Sequence, residues 1–261
     1  RATIYSQPMH NPRHILITGA SSGLGAALAL DYATAGIRLS LHGRNAERLA
    51  QVAEQARKRG ADVSTHAGDV SDAKDCAGWI ESCDRITAID LVIANAGISG
   101  GTAGREGESL SQINAIFAAN VTGVCNTIHA ALPFMTQRKR GQIAIISSIA
   151  SFRGFPGAPA YCASKAAVRV YGEGLRGEMA RHNVEVNVVC PGFIKTPMTD
   201  VNPFPMPLIM SAEQAAVIIR KGLEANRARI AFPWPIYALI RLLTALPQPL
   251  MDFIAARTPK K

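Results

Sequence analysis

Thr18-Gly19-Ala20-Ser21-Ser22-Gly23-Leu24-Gly25 is the stretch whose reading decides the fold. A short apolar run with strand character, His14–Thr18, precedes it, and a helical pattern over Gly25–Ala35 follows. In that setting each glycine has a mechanical task. Gly19 permits a tight turn, Gly23 lets the backbone approach a pyrophosphate, and Gly25 allows helix and sheet to pack closely. The helix opening there offers free N–H groups and a partial positive charge to an anion. Glycine spacing alone would equally describe a structural turn, but the strand-turn-helix context points to a dinucleotide.

Outward from this turn, apolar runs alternate with helical patterns. Strands are expected at Arg38–His42, Asp62–Ala67, Leu91–Ala94, Gln142–Ser147, Glu185–Cys190 and Arg229–Phe232. Helices are expected at Ala46–Arg59, Asn114–Gln137, Tyr161–His182 and Ser211–Ala225, the last opened by Ser211 with Glu213 and Gln214 behind it. With His14–Thr18 the strands number seven, and the βαβα rhythm predicts a doubly wound α/β fold: a parallel sheet with helices on both faces. No internal repeat or linker divides the chain, so one domain is expected over residues 13–232. A polar extension (1–12) precedes it, in which Met9 is a candidate natural start, and an apolar extension (233–261) follows.

The 261 residues are 48% hydrophobic and 18% charged, which excludes intrinsic disorder and allows a large single core. The five cysteines are odd in number, scattered and without a CxxC pair, so neither a disulfide framework nor a metal site follows, and a cytoplasmic setting is expected. Arg1–Arg13 has no apolar core of a secretory leader. The net charge of +9 is compatible with nucleic acid, an anionic membrane surface or a phosphate-rich cofactor. Its densest cluster, Arg138-Lys139-Arg140, lacks interleaved aromatics and reads as a solvated loop, so no nucleic-acid partner is expected. In the C-terminal extension Pro233, Pro235, Pro247 and Pro249 interrupt an apolar stretch that holds Trp234, Leu242, Leu243 and Phe253. No run there reaches the ~20 residues of a membrane span, and Arg241 and Asp252 count further against one. A pocket cap, a subunit contact or peripheral attachment to a membrane surface remain as readings.

Two further patterns carry chemistry. The second strand ends in His42-Gly43-Arg44-Asn45, without the carboxylate that would bind the adenosine 2′-hydroxyl of NAD. Arg44 can instead offer a charged fork to the 2′-phosphate of NADP. Tyr161-Cys162-Ala163-Ser164-Lys165 opens a helix, and residues four apart share a face, so the ammonium can sit beneath the phenol. A nearby cation stabilises the phenolate and draws its pKa from ~10 toward neutrality. Ser147-Ser148 ends the fifth strand, at the sheet edge where ligands bind, and a hydroxyl there can donate to an oxygen that develops negative charge.

Taken together, residues 13–232 resemble the short-chain dehydrogenase/reductase family in its compact, single-domain, Rossmann-type branch. Thr18–Gly25, which includes Ser21, Ser22 and Leu24, is similar to its TGxxxGxG turn. Gly68-Asp69-Val70 resembles the segment whose aspartate receives the adenine amino group, and Asn95-Ala96-Gly97 matches the NAG element beside the cofactor. Pro191-Gly192, with Ile194 and Thr196, resembles the PGxxxT segment that holds the nicotinamide carboxamide. Ser148 stands thirteen residues before Tyr161, the family's spacing, and Asn120 falls at its helix asparagine. The resemblance implies carbonyl–alcohol interconversion by hydride transfer. Tyr161 would be general acid/base, Ser148 would polarise the oxygen, Lys165 would hold ribose and phenol, and Asn120 would hold a relay water. It also implies homodimers or homotetramers, for which the small residues of the Tyr161 helix would allow close packing. Two departures stand out: Ala94 replaces an asparagine common in the family, and Ser22 stands where many NADP users have Lys or Arg.

NADP(H) is therefore the expected cofactor, with NAD(H) as the alternative. The segment of about residues 193–211, with Met198, Phe204, Met206, Leu208, Ile209 and Met210, is expected to form a substrate loop suited to a lipophilic small molecule. Competing readings are an NAD-linked alcohol dehydrogenase of the same fold and a non-catalytic dinucleotide-binding regulator.

Overall fold

The computed structural model describes residues 11–100, 107–200 and 205–247. In chain order its elements are β1 (His14–Ile17), α1 (Gly23–Tyr32), β2 (Arg38–Gly43), α2 (Ala46–Lys58), β3 (Asp62–Ala67), α3 (Ala73–Ile86), β4 (Leu91–Ala94) and α4 (Leu110–Phe117). They continue with α5 (Gly123–Gln137), β5 (Gly141–Ile146), α6 (Pro159–Met179), β6 (Val184–Pro191), α7 (Ala212–Glu224), β7 (Arg229–Phe232) and α8 (Trp234–Leu243). The seven strands form one sheet in the order β3-β2-β1-β4-β5-β6-β7, every neighbouring pair parallel. The chain first winds from β1 toward β3, then returns to lay β4 on the other side of β1. That reversal opens a crevice beyond the carboxyl ends of β1 and β4.

Alternation along the strands feeds two cores. Ile15 and Ile17 of β1 face one layer, with Leu28 of α1, Leu49 of α2 and Ile219 of α7, all buried. Leu16, between them, faces the other, with Trp79 and Ile80 of α3, Ile128 of α5 and Val168 of α6. The helical run Leu110–Gln137 is, among the described residues, the one long and apolar enough to cross a membrane. Here its Ile116, Val124 and Ile128 are buried, the last two in the second core.

The seven predicted strands appear within a residue or two of their expected ends, whereas the helices differ more. The expected helix Asn114–Gln137 begins earlier, at Leu110, because Ser109 caps it by accepting from the Gln112 amide at 3.2 Å. It is also interrupted by a π-helical turn over Ala118–Thr122, which sets apart α4 and α5. The long helix expected from Tyr161 starts two residues sooner, with Pro159 in its first turn, and ends in a 3₁₀ turn over Ala180–His182. Helix α3 was not anticipated, although Asp72 caps it and Cys76, Trp79, Ile80 and Cys83 form its buried stripe. In the C-terminal stretch α8 follows β7 directly; Pro249, Asp252 and Phe253 lie outside the described residues.

Candidate active site

The glycine turn is held by β1 and β4. Thr18 Oγ1 accepts from the amides of Asn95 and Ala96, each at 3.1 Å. Asn95 Nδ2 donates to the carbonyls of Thr18 and Gly19, at 3.0 and 3.2 Å. Gly19 and Gly23 adopt positive φ, +68° and +54°. A Cβ at Gly19 would lie 2.8 Å from Ala96 Cα, and one at Gly25 would overlap the Gly19 carbonyl. Side chains are thus excluded here by packing as well as by dihedral. Ser22, the N-cap of α1, makes no capping bond, and no acidic residue occupies the helix's first turn. The first-turn N–H groups are left for an anion, and the cradle fits a dinucleotide.

At one end of the cleft, Arg44 is exposed at the close of β2, while Asn45 uses its side chain to cap α2, accepting from the Arg48 amide at 2.8 Å. That cap sets Arg48 in the first turn of α2, and it lines the cleft beside Arg44, Ser21 and Ser22. Sequence reading missed Arg48; the signal was its position three residues after a capping asparagine. Asp69 Oδ1 accepts from the Ser71 amide and hydroxyl, at 2.9 and 2.8 Å, and these bonds hold the carboxyl below its usual range. Val70, beside it, is buried. His42 is also buried, its ring 5.8 Å from that of His66 and 5.2 Å from that of Trp79. Neither of its ring nitrogens has a hydrogen-bond partner among the described residues. Burial, aided by His66, depresses its pKa to about 4, so the imidazole is neutral at physiological pH.

At the other end, β5 delivers two serines with different tasks. Ser147 Oγ donates to the Lys165 carbonyl at 2.7 Å and is a structural tie. Ser148 Oγ accepts from the Ala150 amide at 3.1 Å and reaches the Tyr161 phenol. Burial raises the phenol's pKa, and the Ser148 hydroxyl, by donating to the phenolate, opposes the rise. Lys165 is buried, with Nζ 2.9 Å from the Ile146 carbonyl, to which it donates, and 5.9 Å from the centre of the Tyr161 ring. Burial lowers its pKa to about 8. At the end of β6, Pro191 and the following Gly192 line the cleft, and Thr196 packs against Gly23. Ile194 bridges to Met210.

Of the predicted residues, Gly19, Ser21, Ser22, Gly23, Leu24, Gly25, Arg44, Asn45, Asp69, Val70, Asn95, Ala96, Gly97, Ser148, Tyr161, Lys165, Pro191, Gly192, Ile194 and Thr196 line this one cleft. Asn120 stands behind it in the π turn, fully buried. Its Oδ1 accepts from the Ile98 amide at 2.7 Å, and its Nδ2 donates to the Ile98 carbonyl and to Ser164 Oγ, both at 2.9 Å. The amide implied to hold a water is therefore engaged in bracing the chain after β4 against α6. Met198, of the expected substrate loop, lines the cleft, whereas Leu208 and Ile209 are exposed and Phe204 lies outside the described residues.

A family model described as short chain dehydrogenase matches residues 13–203. An uncharacterized oxidoreductase of Myxococcus xanthus is 39% identical over 246 residues, 94% of this chain and 97% of that protein. The 11-beta-hydroxysteroid dehydrogenase-like protein 4A of Arabidopsis thaliana is 32% identical over 93% of this chain and 83% of its own. A short-chain dehydrogenase from Sphingobium yanoikuyae, solved in complex with NADPH, superposes with a TM-score of 0.79 at 25% identity, covering 95% of this chain and 98% of that one. The glycine turn, the crevice at the sheet reversal and these relatives agree: the chain belongs to the short-chain dehydrogenase family and is an NAD(P)-dependent oxidoreductase.

Proposed function

We propose that the protein interconverts a carbonyl and a secondary alcohol with NADP(H), using Tyr161 as general acid/base. The observation that carries this reading is the contact of Ser148 with the Tyr161 phenol, above a buried Lys165, in the same cleft as the glycine turn. When bound, the nicotinamide supplies or receives the hydride. Ser148 orients the substrate oxygen and donates to it as charge develops. Tyr161 gives that oxygen its proton in reduction and takes it back in oxidation. Lys165, bonded to the Ile146 carbonyl, keeps a cation beneath the phenol and within reach of ribose hydroxyls. With the Asn120 amide engaged, a relay water would have to be held by another group, such as the main chain of the π turn.

Arg44, with Arg48 behind it and no carboxylate at the end of β2, supports NADP(H) over NAD(H). The exposed Leu208 and Ile209, Met198 at the cleft and the steroid dehydrogenase-like relative support a lipophilic ketone or alcohol. Residues 13–232 would form the catalytic domain. Self-association fits the outward stripe Ala163, Ala167, Val170, Gly174 and Gly177 of α6; Gly172 instead serves the core, since a Cβ there would meet Val188 and Ile145. On α8, Trp234, Leu239 and Leu242 give an exposed apolar face suited to a subunit or a membrane surface, on a protein we place in the cytoplasm.

The test is NADPH oxidation with a panel of cyclic and steroid ketones, alongside NADH. Tyr161→Phe should lose turnover and still bind NADPH. Turnover at the wild-type rate in that variant would sink the catalytic assignment, and equal efficiency with NADH would sink the coenzyme assignment.

A further inference from the structure

Helix α6 carries Tyr161 in its first turn, yet its N-terminus has no local cap. Ala158 occupies the cap position and Pro159, next in line, has no N–H. The first amide able to donate is that of Ala160, and it donates to Glu108 Oε2 at 2.8 Å, from 52 positions away. Glu108 belongs to the chain between β4 and α4, the same connection whose Ile98 is tied to Asn120. Its second oxygen, Oε1, is buried and has no hydrogen-bond partner among the described residues. Leaving a buried acceptor unmatched is costly, and such atoms call for an explanation. A cap serving only the helix would come more cheaply from Ser, Thr, Asp or Asn at position 158.

We propose that Glu108 is a positioning residue: its carboxylate closes the N-terminus of α6, fixes the Tyr161 phenol in the cleft and raises the phenol's affinity for its proton. The inference rests on the assignment of Tyr161 as acid/base. An open helix N-terminus favours a nearby anion and would stabilise the phenolate. The carboxylate offsets that end one residue before Tyr161. The other groups facing the phenol are the Ser148 hydroxyl from the end of β5, and Cys162 and Lys165 from α6 itself. Ser148 and the Lys165 cation favour the phenolate, burial and Cys162 favour the protonated phenol, and Glu108 adds to the side that keeps the proton in place for reduction.

The ionisation of Tyr161 can be followed as the ultraviolet phenolate signal that Tyr161→Phe removes, in enzyme saturated with NADP. In Glu108→Gln, which keeps an acceptor without the charge, the midpoint should fall by about half a pH unit, with kcat within about threefold of wild type. In Glu108→Ala the same fall should come with a kcat loss of about tenfold on the best ketone of the panel, the KM for NADPH holding within about twofold. Glutamine restoring kcat but not the midpoint separates charge from anchoring. An unmoved midpoint in Glu108→Gln overturns the proposal, whether or not the alanine variant folds. So does a KM for NADPH that rises in step with the loss of kcat in Glu108→Ala. If Tyr161→Phe itself turns over normally, the acid/base assignment fails instead, whatever the Glu108 variants do.

Discussion

Helices α1 and α6 both bring their first turns to the cleft, and they are finished in opposite ways. At α1 the cap residue Ser22 forms no bond to the turn it precedes, and no acid lies in that turn. At α6 an acid arrives from a distant connection to take the first free amide. The difference follows the chemistry proposed at each end. Where a dinucleotide's phosphates approach, the protein contributes no anion of its own and leaves the donors open. Where a phenol must hold a proton, the protein closes the donors with a carboxylate. One physical object, the positive end of a helix, is put to use in one place and masked in the other.

The sharpest way to break this contrast is at the α6 end. Tyr161→Phe removes the proton carrier and should lower kcat by about a thousandfold or more, measured by NADPH oxidation, while NADPH fluorescence titration shows unchanged binding. Next in size is a dependence on pH at the α1 side. The carbonyl of His42 receives the Ala20 amide of the glycine turn at 2.8 Å, so this imidazole underlies the region. Its pKa is about 4 in the fold against 6.5 ordinarily, so between those values the unfolded chain binds more protons. The stability gained from a neutral His42 is complete above pH 6.5 and lost as pH falls toward 4, on the order of 3 kcal/mol. His42→Leu should flatten the acid limb of a plot of Tm against pH; an unchanged limb would place the acid sensitivity elsewhere, with His14 the first alternative, since burial also lowers its pKa.

Ser22→Asp converts the open helix end into a capped one. It should raise Tm slightly, by about 1 kcal/mol of added stability, while weakening NADPH binding about thirtyfold, because a fixed carboxylate then competes for the amides. A variant that gained in both would show that the α1 end is not where phosphate sits. A smaller effect is expected from Arg44→Ala, a rise of about tenfold in the KM for NADPH with the KM for NADH unmoved. Arg48→Ala should give a lesser rise of the same kind, and equal loss for both coenzymes would mean that these arginines do not read the 2′-phosphate.

Much of this was legible in the chain itself, and the exceptions share a cause. The inner strands β1, β4, β5 and β6 were readable because parallel strands buried on both faces are short apolar runs, and the glycine turn because its residues work within a single local unit. Helix α3 escaped although its stripe was present, since Cys76, Trp79 and Cys83 make a less obvious apolar pattern than leucines would. The π turn at Asn120, the packing of the His42 ring against His66 and Trp79, and the cap from Glu108 depend on partners from other elements. Local propensity carries no trace of them. Arg48 lies between these cases: its spacing from Asn45 was visible, but its approach to the cleft needed the turn of α2 in space.

The segment after β6 carries exposed apolar side chains, but it is fastened by its main chain. The Lys195 amide donates to the Met210 carbonyl at 2.9 Å, and the Met210 amide donates to the Phe193 carbonyl at 3.1 Å. Both feet are thus clamped by main-chain bonds that do not depend on which side chains lie between them. Closing a loop costs free energy that grows only slowly with its length. Residues between Thr196 and Met210 should therefore tolerate changes in length or character while the sheet and the Tyr161 helix stay as they are. If this segment does form the substrate loop proposed for it, the selection of one substrate over another would be a separable, replaceable part of this protein.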